Sequence, residues 1–315
     1  MKADEVKLIA VIGAGLIGHS VSMEFALAGY DVNLNSRSDE SLQRGLSRID
    51  ATLRGMTEIG IVTSEQAESV PSRIHASVDI RETVQSADVV IENVYEDLDL
   101  KRSVFKEIDI WSPERAILVS GTSTLSLGEL ASATRRPDKV VLANYANPPH
   151  LVPSVEVMRS QSTSDETVAT LCDLLTKVGK RPVVIQQEVP GFVANRLQMA
   201  LTREALSLVQ RGIVSPEDVD TIIKNGIGRR WAVAGVFEVW ELAGWDLIAS
   251  MASWLLPDLE ASNEVPQILR DKIESGELGA KTGKGFYDWS PDSAEALRQR
   301  IAHALIEIAK WPEPA

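Results

Sequence analysis

The sequence predicts an α/β fold, a doubly wound and mostly parallel sheet followed by an all-helical C-terminal domain. Three observations carry that expectation. Apolar runs recur at 7–12, 87–91, 116–120 and 140–143, the right length for strands and too short for helices. They are apolar at nearly every position rather than at alternate ones, which suits parallel strands buried on both faces. Stretches with helical spacing separate them, and beyond Pro190 the strand pattern stops altogether.

The run at 7–12 makes the first strand, and the glycine-rich turn after it opens a helix over 16–28 that Gly29 ends. Residues 31–35 are a second strand. The polar stretch 39–70 is apolar at Leu42, Leu46, Ile49 and Leu53, a helical face. Strand 87–91 precedes a helix over 98–108. Strand 116–120 precedes a Ser/Thr-rich turn and a short helix over 127–133. Strand 140–143 ends at Asn147-Pro148-Pro149, and two further strands, 155–158 and 183–185, flank a helix over 165–178. Helical patterns then follow at 192–211, 216–225, 237–254 and 264–274. The domains are therefore expected at 1–188 and 189–315.

A chain of 315 residues suits about two domains and needs no disulfide or structural metal to build a core. Its one cysteine, Cys172, allows no internal disulfide, reads as a small buried apolar residue, and has no Cys/His cluster around it to hold a metal. A net charge of −13 argues against nucleic acid as a partner, because a phosphate backbone calls for a basic face. No apolar window reaches the ~18 residues of a membrane span, and the N-terminal run lacks a cleavage site. A cytoplasmic protein with neither membrane nor nucleic-acid partner is expected.

Residues 13–18 read Gly-Ala-Gly-Leu-Ile-Gly. Gly13 permits the tight turn, Gly15 lets a diphosphate approach the main chain, and Gly18 lets the helix pack on the strand. Leu16 and Ile17 complete the turn, and the helix N-terminus offers N–H groups to the phosphates. A strand before and a helix and second strand after are the context that turns this pattern into a dinucleotide-binding Rossmann unit. At the end of the second strand an Asp or Glu would bond the ribose of NAD; the aligned residue is Ser36, followed by Arg37. With no carboxylate to repel a 2′-phosphate, and a guanidinium to hold one, NADP(H) is favoured over NAD(H). Arg37 stacking on adenine or standing in solvent is the competing reading.

Several stretches together resemble the 3-hydroxyacyl-CoA dehydrogenase family: the glycine turn, Ser120-Gly121-Thr122-Ser123, Asn147-Pro148-Pro149 with Val155-Glu156-Val157, the run 190–196 (Pro-Gly-Phe-Val-Ala-Asn-Arg), and Lys281-Thr282-Gly283-Lys284-Gly285-Phe286-Tyr287. Pro149-His150 and the run 228–231 are similar to the branch with λ-crystallin, L-gulonate dehydrogenase and carnitine dehydrogenase. The resemblance implies oxidation of a 3-hydroxy group to a 3-keto group, a Rossmann domain, and a helical domain that binds substrate and forms a homodimer. It also implies roles: Ser123, Asn147 and Asn195 as substrate or cofactor contacts, Glu156 as the orienting carboxylate, Glu96 and Lys101 near the cofactor, and Lys281 as a C-terminal cofactor contact.

One catalytic position departs from the family. A His stands three residues before the Asn-Pro asparagine in the family, and here that place is Asn144. An amide has no proton to exchange near neutral pH and is no general base. Four readings stay open. Asn144 is an engineered replacement of His. Another group moves the proton: His150, or Glu156 through a water, while Tyr145 points to the opposite side of the strand. Asn144 bonds a carbonyl or imine electrophile while solvent supplies the proton. Or the protein has lost its activity and serves as a cofactor-binding, crystallin-like protein.

The substrate reading is a small, non-CoA molecule. Arg44, Arg48 and Arg54 are interleaved with acidic residues and make a poor CoA cluster. Trp231, Trp240, Trp245 and Trp254 suit either an aromatic-walled pocket or a helical core and dimer face, and Arg229 and Arg230 suit either a carboxylate clamp or an exposed helix end. Where the family has Gly-Pro-Phe-Glu, the chain has Gly235-Val236-Phe237-Glu238.

Overall fold

A computed structural model describes residues 1–311. The chain divides into two compact units, Met1–Val193 and the residues from Ala194 onward.

The first unit is built on an eight-stranded sheet: β1 (Leu8–Ile12), β2 (Asp31–Asn35), β3 (Ile74–Ser77), β4 (Val89–Glu92), β5 (Ile117–Ser120), β6 (Val140–Tyr145), β7 (Ser154–Arg159) and β8 (Arg181–Ile185), in the order β3-β2-β1-β4-β5-β6-β7-β8. All neighbours are parallel except β6 and β7. Its helices are α1 (Gly18–Leu27), α2 (Asp39–Glu58), α3 (Ser64–Arg73), α4 (Ile80–Val84), α5 (Leu98–Trp111), α6 (Leu127–Ala131) and α7 (Asp165–Lys177). Alternate strand residues feed two cores. Ile9, Val11, Val32 and Ile91 pack on one face, and Ala10, Ile12, Val90 and Leu118 on the other. This double burial is why the strands read as unbroken apolar runs.

The second unit is helical: α8 (Ala194–Gln210), α9 (Pro216–Ile222), α10 (Gly228–Trp231), α11 (Val236–Ala243), α12 (Trp245–Leu255), α13 (Gln267–Glu274) and α14 (Pro291–Ala309), with a π turn over Ile223–Ile227 between α9 and α10.

The structure corrects several expected elements. The stretch 39–70 is two helices: Gly60 turns with φ 74°, and Thr63 with Gln66 forms a fresh capping box for α3. The span 237–254 likewise breaks at Gly244, φ 90°. The first helix starts at Gly18, not at 16, because residues 14–17 form the turn. The helix expected at 192 starts at Ala194, since Gly191 and Phe192 carry φ of 76° and 53°. Positive φ strains a phenylalanine backbone, and here its ring is buried in a sheet core. The short edge strand β3, with α4 and α14, was absent from the sequence reading.

Candidate active site

The strand order reverses between β1 and β4, and ligands of doubly wound sheets sit beyond the carboxyl ends at such a point. The glycine turn lies there. A Cβ on Gly18 would stand 1.8 Å from the Gly13 carbonyl oxygen, and one on Gly13, φ 106°, would stand 2.5 Å from the Asn93 carbonyl oxygen. A Cβ on Gly15 would meet nothing within 4 Å. Two glycines thus close the turn against the protein, and the third leaves open space above it. These residues fit a dinucleotide diphosphate: a cradle without side chains, opening onto the N-terminus of α1.

At the end of β2, the Ser36 hydroxyl is buried and shares a 2.7 Å hydrogen bond with that of Ser41 in α2, while Arg37 is exposed. Ser38 caps α2. No carboxylate occupies the Ser36 position.

The loop after β4 is held from below and from the side. Glu92 and Lys101 are fully buried and paired at 2.6 Å; Glu92 also accepts from the Val94 N–H (2.7 Å) and the Ser120 hydroxyl (3.1 Å). Burial pushes the Glu92 carboxyl up, against the pull of Lys101 and these donors. Lys101 also donates to the Val94 carbonyl and lies 3.4 Å from Glu96. The ammonium read as a cofactor contact is therefore spent beneath the loop, at 1% exposure, and its place in the site is that of an internal anchor. Glu96 grips the loop that carries Ser123: its Oε1 accepts from the hydroxyls of Thr122 and Thr124 and from the N–H groups of Ser123 and Thr124. Burial raises its carboxyl, but the hydroxyls, Lys101 and the Ser123 amide outweigh this and hold it below the usual carboxylate range. The sequence alone assigns no role to Glu92 or Thr124, and it shows Ser120 and Thr122 only as members of a motif. An acidic residue ending the apolar run Val89-Val90-Ile91 was the available signal, because a buried charge demands a partner.

The antiparallel register sets Asn144 directly opposite Glu156. Asn144 Nδ2 donates to Glu156 Oε2 at 2.9 Å, and the Val193 N–H donates to Oε1 at 2.8 Å. Glu156 is buried. Tyr145 points away from Asn144 into the other core; its hydroxyl is buried, and burial with the nearby Glu24 raises it far above the ordinary phenol range. Asn147 is exposed on the loop between β6 and β7. On the same loop His150 Nδ1 shares a 3.0 Å hydrogen bond with the Ser20 hydroxyl of α1. Burial, with the charges of His19 and Lys180, pushes this imidazole down to about 4, so it is neutral at pH 7 and poorly suited to replace the family base.

In the second unit Asn195 is exposed in the first turn of α8, and Lys281 is exposed in the segment between α13 and α14. Arg229 and Arg230 are exposed on α10. Phe237 and Trp245 stack edge-tilted, ring centroids 6.0 Å apart, and Trp254 is 83% exposed.

This fold and site define a dinucleotide-binding oxidoreductase with a helical second unit. The 3-hydroxyacyl-CoA dehydrogenase NAD-binding domain matches residues 8–189, and the 3-hydroxyacyl-CoA dehydrogenase C-terminal domain matches residues 191–289. The chain belongs to the 3-hydroxyacyl-CoA dehydrogenase family. It is 32% identical over 305 residues to the 5-formyl-3-hydroxy-2-methylpyridine 4-carboxylate 5-dehydrogenase of Mesorhizobium japonicum, covering 97% of this chain and 98% of that one. It is 34% identical over 317 residues to the human lambda-crystallin homolog, covering 98% of each. A crystal structure of a 5-dehydrogenase of the same pyridine carboxylate, described as an NAD+ dependent dismutase, superposes with a TM-score of 0.89 at 33% identity, covering 97% and 98% of the two chains. The (S)-3-hydroxybutyryl-CoA dehydrogenase of Ralstonia eutropha gives 0.76 at 29% identity, covering 91% and 100%.

Proposed function

We propose that this chain transfers hydride between NADP(H) and a small, non-CoA 3-hydroxy or 3-keto acid, or a related carbonyl or imine compound. The observation that carries the reading is the glycine cradle at the β1–β4 reversal, whose open face lies over Gly15. Gly13, Gly15 and Gly18, with Leu16 and Ile17, hold the diphosphate, and Arg37, with no acidic neighbour at Ser36, receives a 2′-phosphate. The nicotinamide supplies hydride exchange. The matching N-terminal domain is described as NAD-binding and one solved relative as NAD+ dependent, so the preference for NADP(H) rests on Ser36 and Arg37 alone. A relative that acts on a pyridine carboxylate supports a free acid over a CoA thioester.

At the reacting centre Ser123 and Asn147 donate hydrogen bonds, and Glu96 fixes the Ser123 loop; the resemblance gives Asn195 a substrate or cofactor contact and Lys281 a cofactor contact. Glu156 orients Asn144, whose amide holds the substrate oxygen while solvent supplies or takes the proton. The test is NADPH and NADH titration followed by a screen of hydroxy and keto acids for cofactor turnover. Uptake of neither nucleotide refutes the reading.

The amide at position 144 favours a second reading, a cofactor-binding protein with weakened catalysis. It is distinguished by tight NADPH binding with no turnover in the same screen.

We also place the protein in the cytoplasm as a homodimer. No helix among the described residues is long and apolar enough to cross a membrane. In α11 and α12 every residue is at least partly exposed, Leu242 at 91%, and apolar surface on this scale needs a partner. Sedimentation equilibrium showing only monomer would refute the dimer.

A further inference from the structure

The loop between β6 and β7 reads Ala146-Asn147-Pro148-Pro149-His150-Leu151-Val152-Pro153. Prolines have no N–H, so this loop offers its surroundings mainly carbonyl oxygens and side chains to hold. The protein uses both. The His150 ring meets the Ser20 hydroxyl at 3.0 Å, and the Pro149 carbonyl accepts from Lys180 Nζ at 2.6 Å. The same ammonium is paired with Glu24. The N–H of Arg181, the next residue after Lys180, donates to the Pro153 carbonyl at 2.8 Å.

Both side-chain ties end on α1. Ser20 and Glu24 are one turn apart and share a face of that helix. Ser20 is 1% exposed and Lys180 4%, so water does not compete for these bonds. The helix that receives the loop is the one whose N-terminus opens from the glycine turn.

We propose that Ser20, His150 and Lys180 are positioning residues that clamp the Asn147 loop onto the dinucleotide-binding helix, so that nucleotide bound at the glycine turn fixes the place of the substrate contact. This rests on the functional reading above, in which α1 holds the cofactor and Asn147 meets the substrate. The clamp makes the two contacts parts of one rigid body. Rigidity matters because a misplacement of about 1 Å costs roughly 10²-fold in rate.

Hydrogen–deuterium exchange on the full chain tests this, with wild type, Ser20→Ala and Lys180→Met, each alone and with NADPH or NADH. In wild type, nucleotide slows exchange at 13–20 and also at Ala146, Asn147, His150, Leu151 and Val152. In each variant 13–20 still responds, the loop exchanges about ten-fold faster, and its response to nucleotide is gone. Loop exchange equal to wild type in both variants overturns the clamp, and so does a loop that exchanges faster yet still responds to nucleotide. Absence of any wild-type response at 13–20 refutes the cofactor reading instead, and the loop rates without nucleotide still decide the clamp. Ser20→Ala removes a single oxygen and keeps the experiment readable should Lys180→Met fail to fold.

Discussion

Asn144 and Glu156 face each other across the one antiparallel pair of the sheet, amide nitrogen to carboxylate oxygen at 2.9 Å. The register that makes this pair would serve an imidazole equally well. Asn144→His is expected to form a His–Glu pair and raise kcat/KM for 3-hydroxy acid oxidation by about 10²–10⁴-fold, the usual worth of a general base. Steady-state kinetics on the best acid from the screen measures this. A fall in turnover would mean that the amide is adapted to another chemistry.

The preference between nucleotides is predicted from the end of β2. NADPH should bind more tightly than NADH, and Arg37→Ala should weaken NADPH alone by about 10–100-fold, the loss of a charge-assisted pair. Ser36→Asp should reverse the order. Fluorescence titration with both nucleotides settles each point, and equal affinities in wild type would contradict it.

The glycine turn separates stability from binding. Gly15→Ala adds a methyl group to open space, so the thermal midpoint should hold while nucleotide affinity falls. Gly18→Ala drives a methyl group onto the Gly13 carbonyl and should cost at least about 1–3 kcal/mol of stability as well. Differential scanning fluorimetry with and without NADPH distinguishes the two.

Lys101→Met leaves the Glu92 carboxyl buried without its cation. Breaking one side of such a pair costs about 3–5 kcal/mol, so the first unit should unfold at markedly lower urea. Adding Glu92→Met should restore much of the loss. A single variant as stable as wild type would show the pair to be dispensable.

His150 also gives a pH signature. Its folded value near 4 lies below the ordinary 6.5, so the folded state prefers the neutral ring. Its contribution is complete above pH 6.5 and is lost as pH falls through the window from 6.5 to 4. Wild type minus His150→Gln, in chemical denaturation across that range, should decline by about 2–3 kcal/mol, discounted for partial exposure. A flat difference would show that the ring titrates normally.

What was legible in the sequence follows burial. Strands apolar on both faces announced themselves, whereas β3, half exposed at the sheet edge, left no run to find. The breaks at Gly60 and Gly244 were written as glycines inside helical spacing, which overrode them. The glycine turn was readable as a short motif in its strand–helix context, whereas Asn144 and Glu156 stood out only through the resemblance, and the register that pairs them had to come from the fold. The roles of Lys101 and Ser36 were not, because each depends on whether a side chain turns inward, toward Glu92 or Ser41, and linear spacing carries no such direction.

The reversal of direction at β7 has an evolutionary reach. Glu156 reaches this rim two residues into β7, aligned with Asn144 by ladder bonds rather than by loop shape. A slip of one residue would send its side chain to the far face. Insertions between Tyr145 and Ser154 leave the Asn144–Glu156 pair intact so long as the ladder re-forms in step, but they must also preserve the ties from His150 to Ser20 and from Pro149 to Lys180. A descendant of this scaffold can therefore change the residue at position 144 by a single codon and still present it to Glu156, because the ladder and not the connection sets their alignment.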